Sequence, residues 1–397
     1  GKDDIVTATF FDDTIAWCTE EVYDPAGWTK HVIINTSSAI RPDGPASVAA
    51  ADLDNDGDID VVAAGIINGV VMWFENQSNG TIWVPHTVDQ AATGASCVAV
   101  ADFDNNGRMD IVAGLATAGQ IRLYRNFVFS STSIEFIQET VAASGLASVR
   151  ALAVGDLQRD GHADIVACVY DSGQLVTLFQ DPFGGSASRP ADVAGHERGI
   201  PSLFFFANTP LSRSTPTAVA LADLNHDGLL DIASTSFSEG NVRVHLAVEP
   251  LFYPASSVVM NNLSGGSSVI AVDIDRDGDI DLAATGRTGT GFNYAVNSDR
   301  ATKWRVESFF SYAESPVACV AGDFDDDGLP DVAVGSFNND RFTWSANYGT
   351  ALYAYMYGTA SAIFEGGSTS IADVYAENQA ADGDPAVSYR RFIAYFY

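Results

Sequence analysis

Residues 52–60 read Asp-Leu-Asp-Asn-Asp-Gly-Asp-Ile-Asp, and this nonapeptide decides the fold of the chain. Side chains at positions 1, 3 and 5 of a tight loop converge on one point. Glycine at position 6 permits the positive φ that a sharp reversal needs. Position 7 then offers its carbonyl, and a carboxylate at position 9 closes the shell. A hard cation such as Ca2+ takes about six to eight oxygens at short range, and this spacing supplies them. Asp and Gly also favour ordinary turns, so one copy alone would say little.

The pattern recurs without gaps at 102–110 (DFDNNGRMD), 156–164 (DLQRDGHAD), 223–231 (DLNHDGLLD), 273–281 (DIDRDGDID) and 323–331 (DFDDDGLPD). Successive starts lie 50, 54, 67, 50 and 50 residues apart. A truncated seventh copy opens the chain at 1–4, with Gly1 aligned to Gly57. Position 1 is Asp52, Asp102, Asp156, Asp223, Asp273 or Asp323, and position 9 is Asp60, Asp110, Asp164, Asp231, Asp281 or Asp331. Position 3 keeps an oxygen carrier throughout: Asp54, Asp104, Gln158, Asn225, Asp275, Asp325. So does position 5: Asp56, Asn106, Asp160, Asp227, Asp277, Asp327. Position 7 drifts through Asp58, Arg108, His162, Leu229, Asp279 and Leu329, as expected where only the backbone carbonyl is used. Fixed ligand spacing in six copies points to about six Ca2+ sites, the one at Asp156 weakened by its neutral Gln158. Mg2+ fits less well, because it prefers to keep several waters.

The flanks repeat with the loops. A short run of small apolar residues precedes each loop (SVAAAD, CVAVAD, ALAVGD) and another follows it (DVVAAG, DIVAGL, DIVACV). A third run follows a Gly or Asn turn (GVVMWFEN, GQIRLYRN), and a fourth carries Trp or Phe (residues 28–33, 83–88, 136–141 and 304–309). Four short strands per period and no helical spacing make an all-β chain. Four-stranded units that cannot bury both faces alone must stack, and around a ring they form a β-propeller. Seven loops predict seven blades of four antiparallel strands, with the metal loop between strands 1 and 2. Strand 4 alternates as an outer edge should.

Composition narrows the function. The chain has 51 acidic residues against 20 Lys and Arg, a formal charge of −31. So acidic a protein is unsuited to nucleic acid or to anionic lipid. Six Ca2+ would take −31 to −19, so much of the acidity belongs to the loops. No apolar run reaches membrane-spanning length, so no membrane insertion is expected. The chain opens on Gly1 rather than Met, as a processed secreted protein or a fragment would. Cys18, Cys97, Cys168 and Cys319 each sit in an apolar run and read as buried free thiols. Sequons begin at Asn35, Asn76, Asn79 and Asn262, each read as lying between strands and so as a candidate glycosylation site.

At these loops the chain resembles the FG-GAP and VCBS repeat families, which include the integrin α-subunit propeller and many secreted proteins of bacteria, fungi and algae. The resemblance covers residues 1–340. It implies seven blades, Ca2+ held through positions 1, 3, 5, 7 and 9, and an extracellular or cell-surface location where Ca2+ is plentiful. The integrin-type Phe-Gly and Gly-Ala-Pro signatures are replaced here by runs such as VAAG and AVGS, which places the repeat nearer the VCBS type.

Two stretches depart from the repeat. The period of 67 holds an insertion at 181–213 with Arg189, His196, Arg198, Phe204, Phe205, Phe206 and Arg213, read either as a plain surface loop or as a lid. The segment 341–397 has no metal loop and is dense in Tyr and Phe. It is expected to complete the ring, Ser370-Ile-Ala-Asp-Val supplying the strand that the first blade lacks, or else to dock on a neighbouring copy. No catalytic residue is assigned, and His196 is the histidine best placed for chemistry. Three functions stay open. The first is an extracellular, glycosylated adhesion or structural module that meets a protein or glycan ligand on the cell surface or matrix. The second is a lectin-like propeller, which aromatic platforms at repeated blade positions would support. The third is a polysaccharide lyase or dehydratase.

Overall fold

Runs of Ala, Val and Gly have few side-chain partners to offer, so their amides and carbonyls are satisfied by pairing between neighbouring strands. A computed structural model shows that pairing; it describes residues 3–20, 28–130, 133–142, 145–180, 204–209, 215–288, 290–337, 341–347, 360–363 and 371–375. They form seven four-stranded sheets. The first contains β1 (Ile5–Thr9), β2 (Thr14–Glu20) and β3 (Trp28–Ile34). The second is β4 (Pro45–Ala51), β5 (Asp60–Gly65), β6 (Val70–Asn76) and β7 (Trp83–Asp89). The third is β8 (Ala95–Ala101), β9 (Asp110–Leu115), β10 (Gln120–Ser130) and β11 (Ser133–Ala142). The fourth is β12 (Val149–Gly155), β13 (Asp164–Val169), β14 (Gln174–Gln180) and β15 (Phe204–Thr209). The fifth is β16 (Pro216–Ala222), β17 (Asp231–Ser236), β18 (Asn241–His245) and β19 (Ser256–Met260). The sixth is β20 (Gly266–Val272), β21 (Asp281–Gly286), β22 (Thr290–Ser298) and β23 (Lys303–Glu314). The seventh is β24 (Pro316–Gly322), β25 (Asp331–Ser336), β26 (Arg341–Ser345) and β27 (Ala360–Ile363).

The ring closes through the tail. Strand β28 (Ile371–Tyr375) runs antiparallel to β1, with Val6 opposite Tyr375 and Ala8 opposite Asp373. It is the inner strand of the first blade, and it lies between β24 and β4 as every other inner strand lies between its neighbours. Residues beyond 340 therefore belong to the propeller: β26 and β27 finish the seventh blade and β28 finishes the first. The remaining tail aromatics lie outside the described residues.

The core is divided among the junctions between blades. Seven clusters of buried side chains each join two neighbouring sheets. At one junction Val6, Ala8 and Ile15 of the first blade meet Val61, Ala63, Met72 and Phe74 of the second. Strands β5, β9, β13, β17, β21 and β25 are buried at every position, as continuous apolar runs require. Small residues let the blades approach. A methyl group on Gly286 would sit 1.3 Å from the Leu263 carbonyl oxygen, so only glycine fits there. The four cysteines are buried and unpaired by disulfides.

Two sequence expectations change. Asn76 is the last residue of β6, only 7% exposed, and its side-chain amide donates to the Ile59 carbonyl. It sits inside the blade and is no glycan acceptor in the folded chain, whereas Asn79 and Asn262 are exposed and Asn35 is half-buried. Phe204, Phe205 and Phe206 belong to β15, paired with β14, rather than to a free loop. Arg189, His196, Arg198 and Arg213 lie outside the described residues.

The outer strand meets the third strand at one recurring position. His31 stacks on Trp17 at 4.2 Å and His86 on Trp73 at 4.4 Å between ring centroids. Glu307 accepts from the Tyr294 hydroxyl at 2.9 Å, and Glu139 lies 3.4 Å from Arg125. The remaining described histidine outside the loops, His245, is fully buried in β18 with Ser234 Oγ 3.5 Å from Nε2. Burial pushes its pKa down to about 4, helped by the charge of Arg243. Below its ordinary range the unfolded chain takes up a proton that the folded chain refuses, so this site destabilises the fold as pH falls from about 6.5 to about 4. Relative to a His245→Leu variant, the wild type is expected to lose about 1.4 kcal/mol of stability per pH unit across that window. Urea unfolding of both at pH 7, 6 and 5 checks this; parallel losses would contradict it.

Candidate metal centre

Each metal loop joins the inner strand of a blade to the second strand. Glycine at position 6 has φ between 81° and 96° in all six loops. Its amide donates to the position 1 carboxylate in every copy, at 2.7–3.0 Å. The position 5 side chain accepts the position 7 amide at 2.8–3.0 Å. These bonds curl the loop, and the curl gathers oxygens. Carboxylates at positions 1, 3 and 9 lie within 4.8 Å of one another in four loops: Asp52, Asp54 and Asp60; Asp102, Asp104 and Asp110; Asp273, Asp275 and Asp281; Asp323, Asp325 and Asp331. The loops at 156 and 223 carry Gln158 and Asn225 at position 3, so a neutral oxygen replaces one carboxylate there.

Position 9 is the buried member, 0% exposed in all six loops. One of its oxygens accepts the position 2 amide, as Asp60 does from Leu53 at 3.0 Å. The other accepts an amide sixteen residues further on, as Asp60 does from Asn76 at 2.8 Å. Both bonds recur in the other five loops. Sequence reading missed this second partner, although Asn or Gln stands there in five of the six blades with a complete loop. Its side chain has a task of its own: Asn126 Nδ2 reaches the Leu53 carbonyl of the preceding blade at 2.6 Å, and Asn297 and Asn347 repeat the contact at 2.8 Å with Leu224 and Ile274.

Burial pushes the pKa of Asp60 up to about 8 and those of Asp110, Asp164, Asp231, Asp281 and Asp331 up to about 7, while the donated amides pull the other way. Burial and the neighbouring Asp56 raise Asp54 to about 6. Carboxylates crowded together and withdrawn from water favour a divalent cation among them. The donor set is oxygen only, which suits Ca2+. Buried ligand oxygens agree with this: Asp104 Oδ1, Gln158 Oε1, Asp273 Oδ1 and Asp323 Oδ1 have no hydrogen-bond partner, and a cation at the centre would satisfy them. Positions 1, 3 and 9 would hold it.

The sequence profile described as "FG-GAP-like repeat" matches residues 52–113 and 223–284. The chain carries FG-GAP-like repeats at these two places. No curated protein matches the chain in sequence. In fold it is similar to a candidate 6-phosphogluconolactonase of Bacteroides fragilis, at TM-score 0.62 and 11% identity over 94% of this chain and 97% of that one. A protein from Lactobacillus plantarum is similar at TM-score 0.61 and 12% identity over 94% and 99%. At such identities the likeness is one of fold alone.

The six loops differ in charge. In the loop at 102–110 the Arg125 guanidinium is fully buried with Nη1 3.5 Å from Asp104 Oδ2. Its Nε, Nη1 and Nη2 have no hydrogen-bond partner. The equivalent residue is Glu75, Phe179, Leu246, Val296 or Ala346 in the other blades with a complete loop, none of them a cation. Position 7 of the same loop is Arg108 and position 5 is neutral Asn106. A fixed positive charge beside a ligand oxygen opposes a second cation, so this loop should bind Ca2+ most weakly. Arg125→Met is expected to raise affinity at this loop about tenfold or more. Calorimetric Ca2+ titration of both proteins would show it as an added tight step, and superimposable isotherms would contradict it.

Proposed function

We propose that this protein is a Ca2+-loaded propeller that works outside the cell as a non-catalytic recognition and scaffold module. The observation that carries this reading is the position 9 aspartate. Each of its oxygens already accepts an amide of its own blade, so a cation there braces strands rather than presenting an open coordination position to a substrate. Oxygen-ligand sites of extracellular modules have dissociation constants of about 10⁻⁴–10⁻³ M, so loops of this kind suit surroundings rich in Ca2+. Among the described residues no helix is long and apolar enough to cross a membrane. The described histidines also support a non-catalytic role: His31 and His86 stack on tryptophans, His245 is sealed in the core, and His162 and His226 contact neighbouring loops.

A glycan ligand is favoured by the opposite face, where strands 2 and 3 of each blade turn. The sixth residue after position 9 is aromatic in four blades: Phe10, Tyr170, Phe237 and Phe337. Tyr170 and Phe237 of neighbouring blades meet edge to face at 6.4 Å. Arg150 lies 5.1 Å over Tyr170 and Arg287 lies 4.9 Å over Phe337. Rigid aromatic faces give contact area at little entropic cost, and Phe237 is 37% exposed. The experiment is a glycan array beside a panel of matrix proteins, run in Ca2+ with wild type and a Tyr170→Ala, Phe237→Ala double variant. Glycan signals that fall about tenfold or more in the variant support this face. Cleavage of uronate polymers with unsaturated products would overturn the non-catalytic reading.

A further inference from the structure

Position 4 is a loop residue with no part in holding a cation. It is Asn55, Asn105, Arg159, His226, Arg276 or Asp326, and its φ lies between 56° and 64° in all six loops. A left-handed backbone costs about 1 kcal/mol at a residue other than glycine, and least at Asn or Asp. Arg and His gain no local relief there, yet the conformation is kept. Its consequence is to send the side chain sideways to the next blade.

At five successive junctions this side chain approaches the following loop. Asn55 Nδ2 donates to the Gly107 carbonyl at 3.0 Å, and Asn105 Nδ2 donates to the Gly161 carbonyl at 2.8 Å. His226 Nε2 pairs with Asp279 Oδ1 at 2.9 Å. The Arg159 guanidinium lies against Gly228, where a methyl group would meet Nη2 at 2.9 Å, and Arg276 stands likewise at Gly328, at 3.6 Å. In each, position 4 of one loop lies beside position 6 or 7 of the following loop. At two junctions the target is the carbonyl of the peptide leading into position 7, and at a third it is the position 7 side chain; position 7 is where the loop is expected to supply its backbone ligand. Position 4 itself lies between the ligands at 3 and 5.

We propose that the position 4 side chains link the loops into a directional chain, so that a cation bound at one loop preorganises the next and the sites fill cooperatively. This rests on the reading that the loops bind Ca2+. Ordering positions 3 and 5 of one loop fixes the residue between them, and that residue holds the peptide of the next loop in its ligating orientation. The side chain is a positioning group, and chemistry as different as amide, imidazole and guanidinium serves because each needs only to reach.

The test is a Ca2+ titration of chelator-stripped protein, with hydrogen exchange of loop peptides read by mass spectrometry at limiting Ca2+. Wild type is expected to bind with a Hill coefficient above one. Asn105→Gly keeps the left-handed backbone and removes the reach, and Asn105→Asp keeps the shape but sets an acceptor against the Gly161 carbonyl. In both, affinity at 156–164 should fall about fivefold, the worth of one hydrogen bond. Its exchange protection should drop while 52–60 is unchanged, and the Hill coefficient should decline with the number of bound ions preserved. An unchanged Hill coefficient and unchanged protection at 156–164 would overturn the coupling while leaving the loops as metal sites. Wild type that takes up no Ca2+ at all would overturn both.

Discussion

The rest of this propeller depends on one buried carboxylate, the aspartate at position 9 of each loop. It lies where the metal loop enters the second strand, and it ties the start of that loop to the end of the third strand through two amides. A charged group taken this far from water is costly unless it is paired and hydrogen-bonded. Here the amides supply the hydrogen bonds, and carboxylates at positions 1 and 3 bring the acid to within reach of a single cation. One ion at that point would offset the repulsion, satisfy the buried oxygens and fix three parts of the blade together. The Asn sixteen residues after position 9 extends the brace to the preceding blade in three of the blades.

Around these braces the packing is repetitive and thin. Among the described residues no single core holds the ring; each junction has its own slab of Val, Ala, Ile and Leu. A ring built of such slabs is only as secure as its closure. Chain ends meet in the first blade, where β28 completes a sheet begun by β1. Asp3 of the truncated copy exchanges backbone and side-chain hydrogen bonds with Asp323 in the loop of the last blade, so the junction has a polar lock as well as a strand.

Much of this was legible in the sequence because the repeat is written in residue types that have few alternatives. Glycine at position 6 reports its positive φ, acids at fixed spacing report convergence, and apolar runs report strands buried on both faces. What escaped was carried by backbone atoms and by distance. The amide of Asn76 is what matters at position 9, and an amide has no residue signature. Left-handed geometry at position 4 is hidden because Asn, Arg, His and Asp all adopt it there. Arg125 stood in plain sight within its apolar run, but its approach to Asp104 is a matter of side-chain reach across the blade. The sequon at Asn76 misled because a sequon records three residue types and not burial.

The central claim is that the loops hold the ring together through bound Ca2+ and are not merely acidic turns. Thermal unfolding in excess Ca2+ and in excess chelator tests it most directly. The account predicts a melting temperature lower by ten degrees or more without the ion, on the order of several kcal/mol spread over the sites, and full recovery when Ca2+ is restored. Identical melting curves in the two buffers would contradict it.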